Sequence, residues 1–280
     1  MVNSRILIVD KEEDITSFSS LSKVKKEYKG LKVGHTGTLD KFASGLMVVL
    51  VGSATKLAPV FSGMDKSYRA TIKFGEETDT LDREGEVIKK SDVPSLSVLE
   101  SVLPLFKGWI EQKPPIYSAI HINGKRAYSE ARKGKEVDMP SRPVRIDSLT
   151  LESFNNDIAL IDVSVSKGTY IRSLARDIAE KANSSAHLIA LDRYRVGPYT
   201  KADITGLNSS KEKSDELLSR VIKNSYLLDE KYLKQFKNGV CKESFFNSNI
   251  EDGYFRVLLS NVVIAVCEKK EDRLHTVAFL

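Results

Sequence analysis

The chain is poor in the residues that build disulfide frameworks and metal centres. It carries two cysteines, Cys241 and Cys267, in 280 residues. That is too few for a disulfide scaffold and fits a reducing compartment. The four histidines, His35, His121, His187 and His275, are scattered, and no Cys/His spacing reads as a zinc site. The N-terminal stretch has no long apolar core and meets acids at Asp10 and Asp14. Neither a signal peptide nor a membrane anchor is expected, which gives the cytoplasm as the default location. A Gly-Lys-Ser/Thr phosphate loop and a G-x-G-x-x-G dinucleotide loop are both missing. No internal repeat or low-complexity stretch is present.

What is there is ordinary in bulk and uneven in detail. Apolar residues make up 41% and charged residues 29%, as in a globular protein, and the length suits a large domain with a small one. The net charge of +5 permits a nucleic-acid partner without requiring one. Between His121 and Arg145, however, seven Lys/Arg face three Asp/Glu.

The chain pivots on Gly34-His35-Thr36-Gly37-Thr38-Leu39-Asp40, followed by the apolar run at residues 46–51. Two glycines in four residues allow a tight turn and close approach to a ligand. The apolar run reads as a buried strand that holds the preceding loop. Asp40 closes that loop. Read plainly it caps a turn, because Gly, Thr and Asp are common turn residues.

Elsewhere the patterning predicts a strand at 6–9, a helix over 17–28 behind Thr16-Ser17, and a helix beginning at 53–57. Residues 67–74 alternate, with Tyr68, Ala70, Ile72 and Phe74 on one face, and this reads as a half-buried strand. Spacing alone makes Tyr68 a core aromatic. Residues 78–85 form a polar turn without EF-hand ligand order; it reads as structural, with Asp82 a candidate neighbour of the active cleft. A helix over 95–106 should kink or end at Pro104. Strands at 149–154 and 158–165 form a hairpin around Asn155-Asn156-Asp157. From Tyr170, the apolar positions Ile171, Leu174, Ala175, Ile178, Ala179 and Ala182 recur at helical spacing, with Arg172 and Arg176 off that face. An arginine near the positive end of a helix asks for a carboxylate, and a surface salt bridge worth under about 1 kcal/mol is the plain answer. Residues 209–213 read as a loop before a helix at 215–223. A helix at 227–236, stopped by Asn238-Gly239, precedes strands at 254–259 and 262–266.

GHTGTLD with Ala43-Ser44-Gly45 resembles the catalytic motif of the TruB family of tRNA pseudouridine synthases, and further segments extend the likeness over residues 5–200. The resemblance implies that Asp40 is the nucleophile. Lys66-Ser67-Tyr68-Arg69 resembles the segment whose tyrosine stacks on the target base. KGTYIRSLARD, residues 167–177, resembles the second signature, which implies that Arg172 pairs with Asp40 and that Tyr170 lines the pocket. Leu191 then packs near the base, and His35 fills the space the flipped base leaves, where a neutral turn histidine is the alternative. The basic segment with Lys125 and Arg126 resembles the family's RNA-gripping insertion, against a solvated basic loop as the alternative reading. Lys56 is a further candidate RNA contact.

The implied fold is α+β: a pseudouridine synthase domain over 1–225 around a mixed, largely antiparallel central sheet. An RNA-binding insertion occupies about 112–145, and a small, reduced PUA-like domain follows at 226–280. The implied reaction isomerises uridine 55 in the T-loop of tRNA, on a monomer, with no cofactor and no metal. Two departures stand out. Lys41 replaces the usual proline after the aspartate, and residues 11–17 keep only Lys11, Thr16 and Ser17 of the pattern Lys-Pro-x-Gly-x-Thr-Ser. A non-catalytic tRNA-binding or folding protein on the same scaffold is the alternative; the retained Asp40, Tyr68, Tyr170 and Arg172 weigh against it. A relative working within a guide-RNA particle is disfavoured because basic end extensions are missing, and a two-carboxylate glycosidase because no second acid stands out.

Overall fold

The structure, a computed structural model, describes all residues except 1–3, 119–120, 123–124, 127–138, 208, 247 and 272. For 121–122 and 125–126 it describes the backbone alone. The chain divides into two compact units. The first comprises Met1–Asp40, Leu46–Gly63 and Gly197–Leu280, and the second Lys41–Gly45 and Met64–Val196.

The second unit is built on an antiparallel run of strands in the order Ala186–Val196, Lys66–Phe74, Ile158–Val165, Arg142–Asn155 and Gly108–Gln112. Ser44 and Gly45 add a short parallel pairing to Asp192 and Arg193. The sheet is therefore mixed and largely antiparallel, as expected. Alternation explains Lys66–Phe74: Tyr68, Ala70, Ile72 and Phe74 are buried while Arg69 is exposed and pairs with Glu152. The hairpin pairs Asn155 with Ile158, leaving Asn156 at φ +55°, a left-handed conformation that asparagine tolerates. The helix Ile171–Lys181 buries all six predicted apolar positions, the last at Ala182 just beyond its end. It packs on Ala186–Val196 and Lys66–Phe74.

The strand Ala186–Val196 falls where the patterning gave no element. Two irregularities in its register, at Leu188/Ala190 and Arg193/Arg195, break its alternation. Gly108–Gln112, exposed at most of its positions, likewise carries no apolar signature. The expected helix over 95–106 is α-helical only over Leu96–Val102, capped by Ser95, and continues as a 3₁₀ turn, Leu103–Phe106, that contains Pro104.

In the first unit, Leu46–Val51 is buried throughout and pairs with Arg5–Lys11 on one side and Val33–Thr36 on the other. The helix Lys211–Val221 covers Arg5–Lys11, where the Ser214 hydroxyl accepts a hydrogen bond from the Ile6 N–H at 3.2 Å. This helix starts four residues before the expected point because Ser210 caps it. A four-stranded sheet completes the unit: Ser225–Leu227 parallel to Gly253–Leu259, then Val262–Lys270 and Arg273–Phe279 antiparallel. Leu228, Phe236, Phe245, Phe255 and Cys267 are among its core residues.

Two expected helices are shorter. The one over 17–28 is a 3₁₀ turn, Ser19–Leu21, with a helix at Ser22–Glu27, because the Ser17 hydroxyl is committed elsewhere. The one over 227–236 survives only as Leu233–Lys237, since Ser225–Leu227 is drawn into the sheet and Asp229 caps a separate 3₁₀ turn.

Candidate active site

Only part of the pivotal segment is a loop. Gly34, His35 and Thr36 lie in the strand Val33–Thr36, opposite Leu50, Val49 and Val48. Thr–Gly polarity hides this, and the neighbouring buried strand supplies the pairing. Gly37, at φ +84°, then turns the chain. Ser17 fixes the backbone beyond that turn. Its buried hydroxyl accepts from the Leu39 N–H and donates to the Leu39 carbonyl, both at 2.9 Å. Leu39 is buried, Asp40 is half-buried, and Phe42 and Ala43 are buried again. The nucleophile candidate thus sits on a short span with anchored neighbours. Lys41 reaches Glu84 at 2.8 Å, an exposed pair worth under about 1 kcal/mol. Gly45 admits no side chain: at φ +115°, an added Cβ would stand 2.3 Å from the Arg193 carbonyl oxygen.

The altered 11–17 segment is held from within. The buried Lys11 ammonium donates to the Glu12 and Ile15 carbonyls at 3.0 and 2.7 Å. Asp14 takes φ +60° at the position where the family pattern has glycine; aspartate tolerates that region better than most residues. His35 is half-buried, and Lys56 is exposed on the 3₁₀ turn Gly52–Leu57.

In the second unit, Tyr68 is buried between Val163 and Arg193 in the sheet register. Leu191, also buried, pairs with Ala70. Lys66, two residues before Tyr68, is buried and donates to the Met64 carbonyl. Burial and the neighbouring Arg193 charge lower its pKa to about 8. Tyr170 stands at the N-cap of Ile171–Lys181. The buried Gln112 amide accepts from the Tyr170 N–H at 2.8 Å and donates to its carbonyl at 3.1 Å. The Arg142 guanidinium lies 5.1 Å from the Tyr170 ring centre.

Arg172 is not off the buried face; its side chain is 5% exposed. It donates to the Thr80 carbonyl at 2.8 Å and the Tyr117 carbonyl at 3.0 Å, and pairs with Asp82 at 3.2 Å. The carboxylate that an arginine at this helix end requires is present, and it is buried rather than at the surface. Asp82 also organises its own turn: Oδ1 accepts from the Thr80 hydroxyl at 2.6 Å and the Glu84 N–H at 3.0 Å. Leu188 N–H donates to Leu81, which ties the turn to the central strand.

The site residues therefore fall in two groups. His35, Asp40 and Lys56 belong to the first unit, and Tyr68, Tyr170, Arg172 and Leu191 to the second. Lys125 and Arg126 form a two-residue strand with His121–Ile122, their side chains outside the described residues along with most of the basic insertion. Sequence reasoning missed Gln112 and the clamp by Ser17, whose only signal was their place inside family-like segments. Among the described residues, no cluster of three His, Cys, Asp or Glu could hold a metal, and no helix is long and apolar enough to cross a membrane.

Residues 23–171 match the family described as TruB family pseudouridylate synthase, N-terminal domain. The chain belongs to the TruB family. A tRNA pseudouridine synthase B of Zymomonas mobilis is 47% identical over 212 residues, 74% of this chain and 70% of that protein. A tRNA pseudouridine synthase B of Francisella tularensis is 40% identical over 278 residues, covering 96% and 92% of the two. Among solved structures, a chain of a Cbf5–Nop10–Gar1 complex superposes with a TM-score of 0.67 at 20% identity, over 97% of this chain and 83% of that one. That likeness shows the fold: this TruB-family chain has the pseudouridine synthase architecture.

Proposed function

We propose that this TruB-family enzyme isomerises uridine 55 in the T-loop of tRNA to pseudouridine, with Asp40 as nucleophile. The observation that carries the reading is the retention of Asp40 in an intact GHTGTLD segment, next to a Leu39 fixed by Ser17. It is supported by relatives named tRNA pseudouridine synthase B that are 40–47% identical over most of the chain.

The reaction breaks the N1–C1′ bond, turns the uracil, and joins C5 to C1′ with loss of the C5 proton. Atoms are conserved, so the chemistry asks for a positioned carboxylate rather than an external reactant. Burial disfavours an ionised aspartate, and an arginine partner lowers its pKa by roughly 1–3 units. Arg172 takes that part in this reading. Extruding the base costs a few kcal/mol, and stacking returns about 1–3 kcal/mol. Tyr68 is the stacking platform, Tyr170 and Leu191 wall the base, and His35 fills the vacated space. Lys56, Lys125 and Arg126 contact phosphates, so affinity should fall as salt rises. Residues 226–280 serve as a small PUA-like RNA-binding domain, a part that suits a four-stranded sheet with a core of its own. The enzyme acts as a monomer in the cytoplasm on the T arm.

The test is tritium release from a tRNA transcript carrying 5-tritiated uridine. Wild type should release tritium, Asp40→Asn should not, and changing the T-loop uridine to cytidine should abolish release. Tight tRNA binding without release from wild type would instead support a binding or folding factor on this scaffold.

A further inference from the structure

The two cysteines, to which the sequence gives no role, meet in the C-terminal sheet region. Cys241 follows the helix Leu233–Lys237 and is half-buried, while Cys267 lies wholly buried on Val262–Lys270. Their sulfurs are 3.7 Å apart, in van der Waals contact, although 26 residues separate them. Thr276, opposite Cys267 in the sheet register, has its hydroxyl 3.6 Å from the Cys267 sulfur. One thiol is reachable and the other is held behind it.

Cys241 also lines a cleft of about 720 Å³ with Lys242, Glu243, Lys269, Arg273 and His275. That volume falls in the range of small-molecule sites. Three fixed cations face one carboxylate among these residues, and Glu243 is itself paired with Lys269. His275 lies 3.5 Å from Glu268. The cleft has a cationic surplus beside a thiol. A hydrogen bond from Cys267 holds the Cys241 thiol below its usual range, and the same contact with burial pushes Cys267 up. The thiolate, the attacking form in exchange, therefore belongs to the accessible member.

We propose that Cys241 is a thiol-exchange site for an anionic disulfide of about tripeptide size held in this cleft, with Cys267 as the resolving thiol. The Cys241 thiolate attacks one sulfur of the disulfide RSSR, giving a Cys241–SR mixed disulfide and one thiolate RS⁻. Cys267 passes its proton to that leaving thiolate and attacks the Cys241 sulfur. The Cys241–Cys267 disulfide forms and a second RS⁻ departs. Two protein thiols are oxidised and RSSR is reduced to two thiols, the second RS⁻ taking up the proton that Cys241 gave up. This site is separate from the residues assigned to pseudouridylation and does not rest on that assignment.

The test is intact-mass spectrometry of the folded full-length protein with glutathione disulfide, in parallel with the cationic disulfide cystamine. Wild type should lose the mass of two hydrogens through a transient glutathione adduct. Cys267→Ser should accumulate the adduct, and Cys241→Ser should neither carry it nor lose the hydrogens. Because Cys267 is buried, the half-buried Cys241→Ser and a Lys242→Ala/Arg273→Ala double variant provide arms that leave the core intact. The double variant should slow the glutathione reaction on the order of ten-fold, the lower end of electrostatic steering, and leave the cystamine reaction unslowed. No adduct and no hydrogen loss in folded wild type, under conditions where urea-unfolded protein reacts, would overturn the site. Cystamine reacting as fast as glutathione disulfide would overturn its anionic selectivity.

Discussion

Ser17 holds Leu39 by both of its backbone groups, through two hydrogen bonds of 2.9 Å, and Asp40 is the next residue. A serine 22 positions upstream of Leu39 thus sets the backbone from which the proposed nucleophile projects. Ser17→Ala leaves a buried N–H and a buried carbonyl without that partner, at a cost of about 1–3 kcal/mol. The expected result is a lower urea midpoint together with a turnover that falls more than tRNA affinity does. Preorganisation of Asp40 is the reason for the second effect, since a small displacement of a reacting group is costly. Unchanged turnover in a protein of reduced stability would confine the clamp to a folding role.

The Arg172–Asp82 pair is buried on both sides, at 5% and 6% exposure. Removing one partner of such a pair costs about 3–5 kcal/mol, because the other charge stays behind in a poor solvent. Asp82→Ala should show that loss in chemical denaturation. Asp82→Asn should lose less, since an amide oxygen can still accept from Thr80 and Glu84. Equal losses for the two variants would mean that the charge is immaterial and that only the turn matters.

The sequence made some of this legible and concealed the rest for identifiable reasons. Lys66–Phe74, the 158–165 hairpin strand and the face of Ile171–Lys181 follow from simple periodicity, and each is found where it was expected. For the central strand Ala186–Val196 the pattern gives no element, because its two register irregularities spoil the alternation that would mark it. The helix expected at 17–28 shrank because Ser17 serves Leu39 instead of the helix. Arg172 showed its need for a carboxylate through its place at a helix start; Asp82, 90 residues earlier on a tight turn, was marked only as a neighbour of the cleft, and no pattern paired the two. Asp14 looked like a plain loss of the family's glycine, whereas its φ of +60° is a left-handed conformation of the kind glycine adopts readily.

Gln112 relates to Tyr170 much as Ser17 does to Leu39, with a buried side chain serving both backbone groups of a residue far away in sequence. Gln112→Leu keeps the volume and removes both bonds, so the Tyr170 N–H and carbonyl lose their partner at about 1–3 kcal/mol. Tyr170 also begins Ile171–Lys181, and so the loss falls on the start of the helix that carries Arg172. We expect reduced thermal stability and reduced single-turnover pseudouridylation, with Gln112→Glu intermediate because one acceptor remains. Wild-type turnover in Gln112→Leu would show that Tyr170 is held well enough by its ring contact with Arg142.

Lys66 gives the fold a defined pH response. Its pKa of about 8 lies below the ordinary lysine value of 10.5, owing first to burial and then to Arg193. Below about pH 8 the folded and unfolded chains both hold this proton, and the folded state bears the full cost of a buried ammonium. Between about 8 and 10.5 the unfolded chain binds more protons at this site, so its contribution to stability rises with pH. The rise should amount to about 2–3 kcal/mol, given about 1.4 kcal/mol per pKa unit. Other lysines and tyrosines titrate in the same window, and the informative quantity is therefore the difference between wild type and Lys66→Met. Denaturation at a series of pH values from 7 to 10.5 should show the variant ahead at pH 7 and its advantage shrinking as pH rises. A constant difference across that range would mean that Lys66 keeps its ordinary pKa in the folded protein, with the donated bond to Met64 and the nearby Asp65 offsetting its burial.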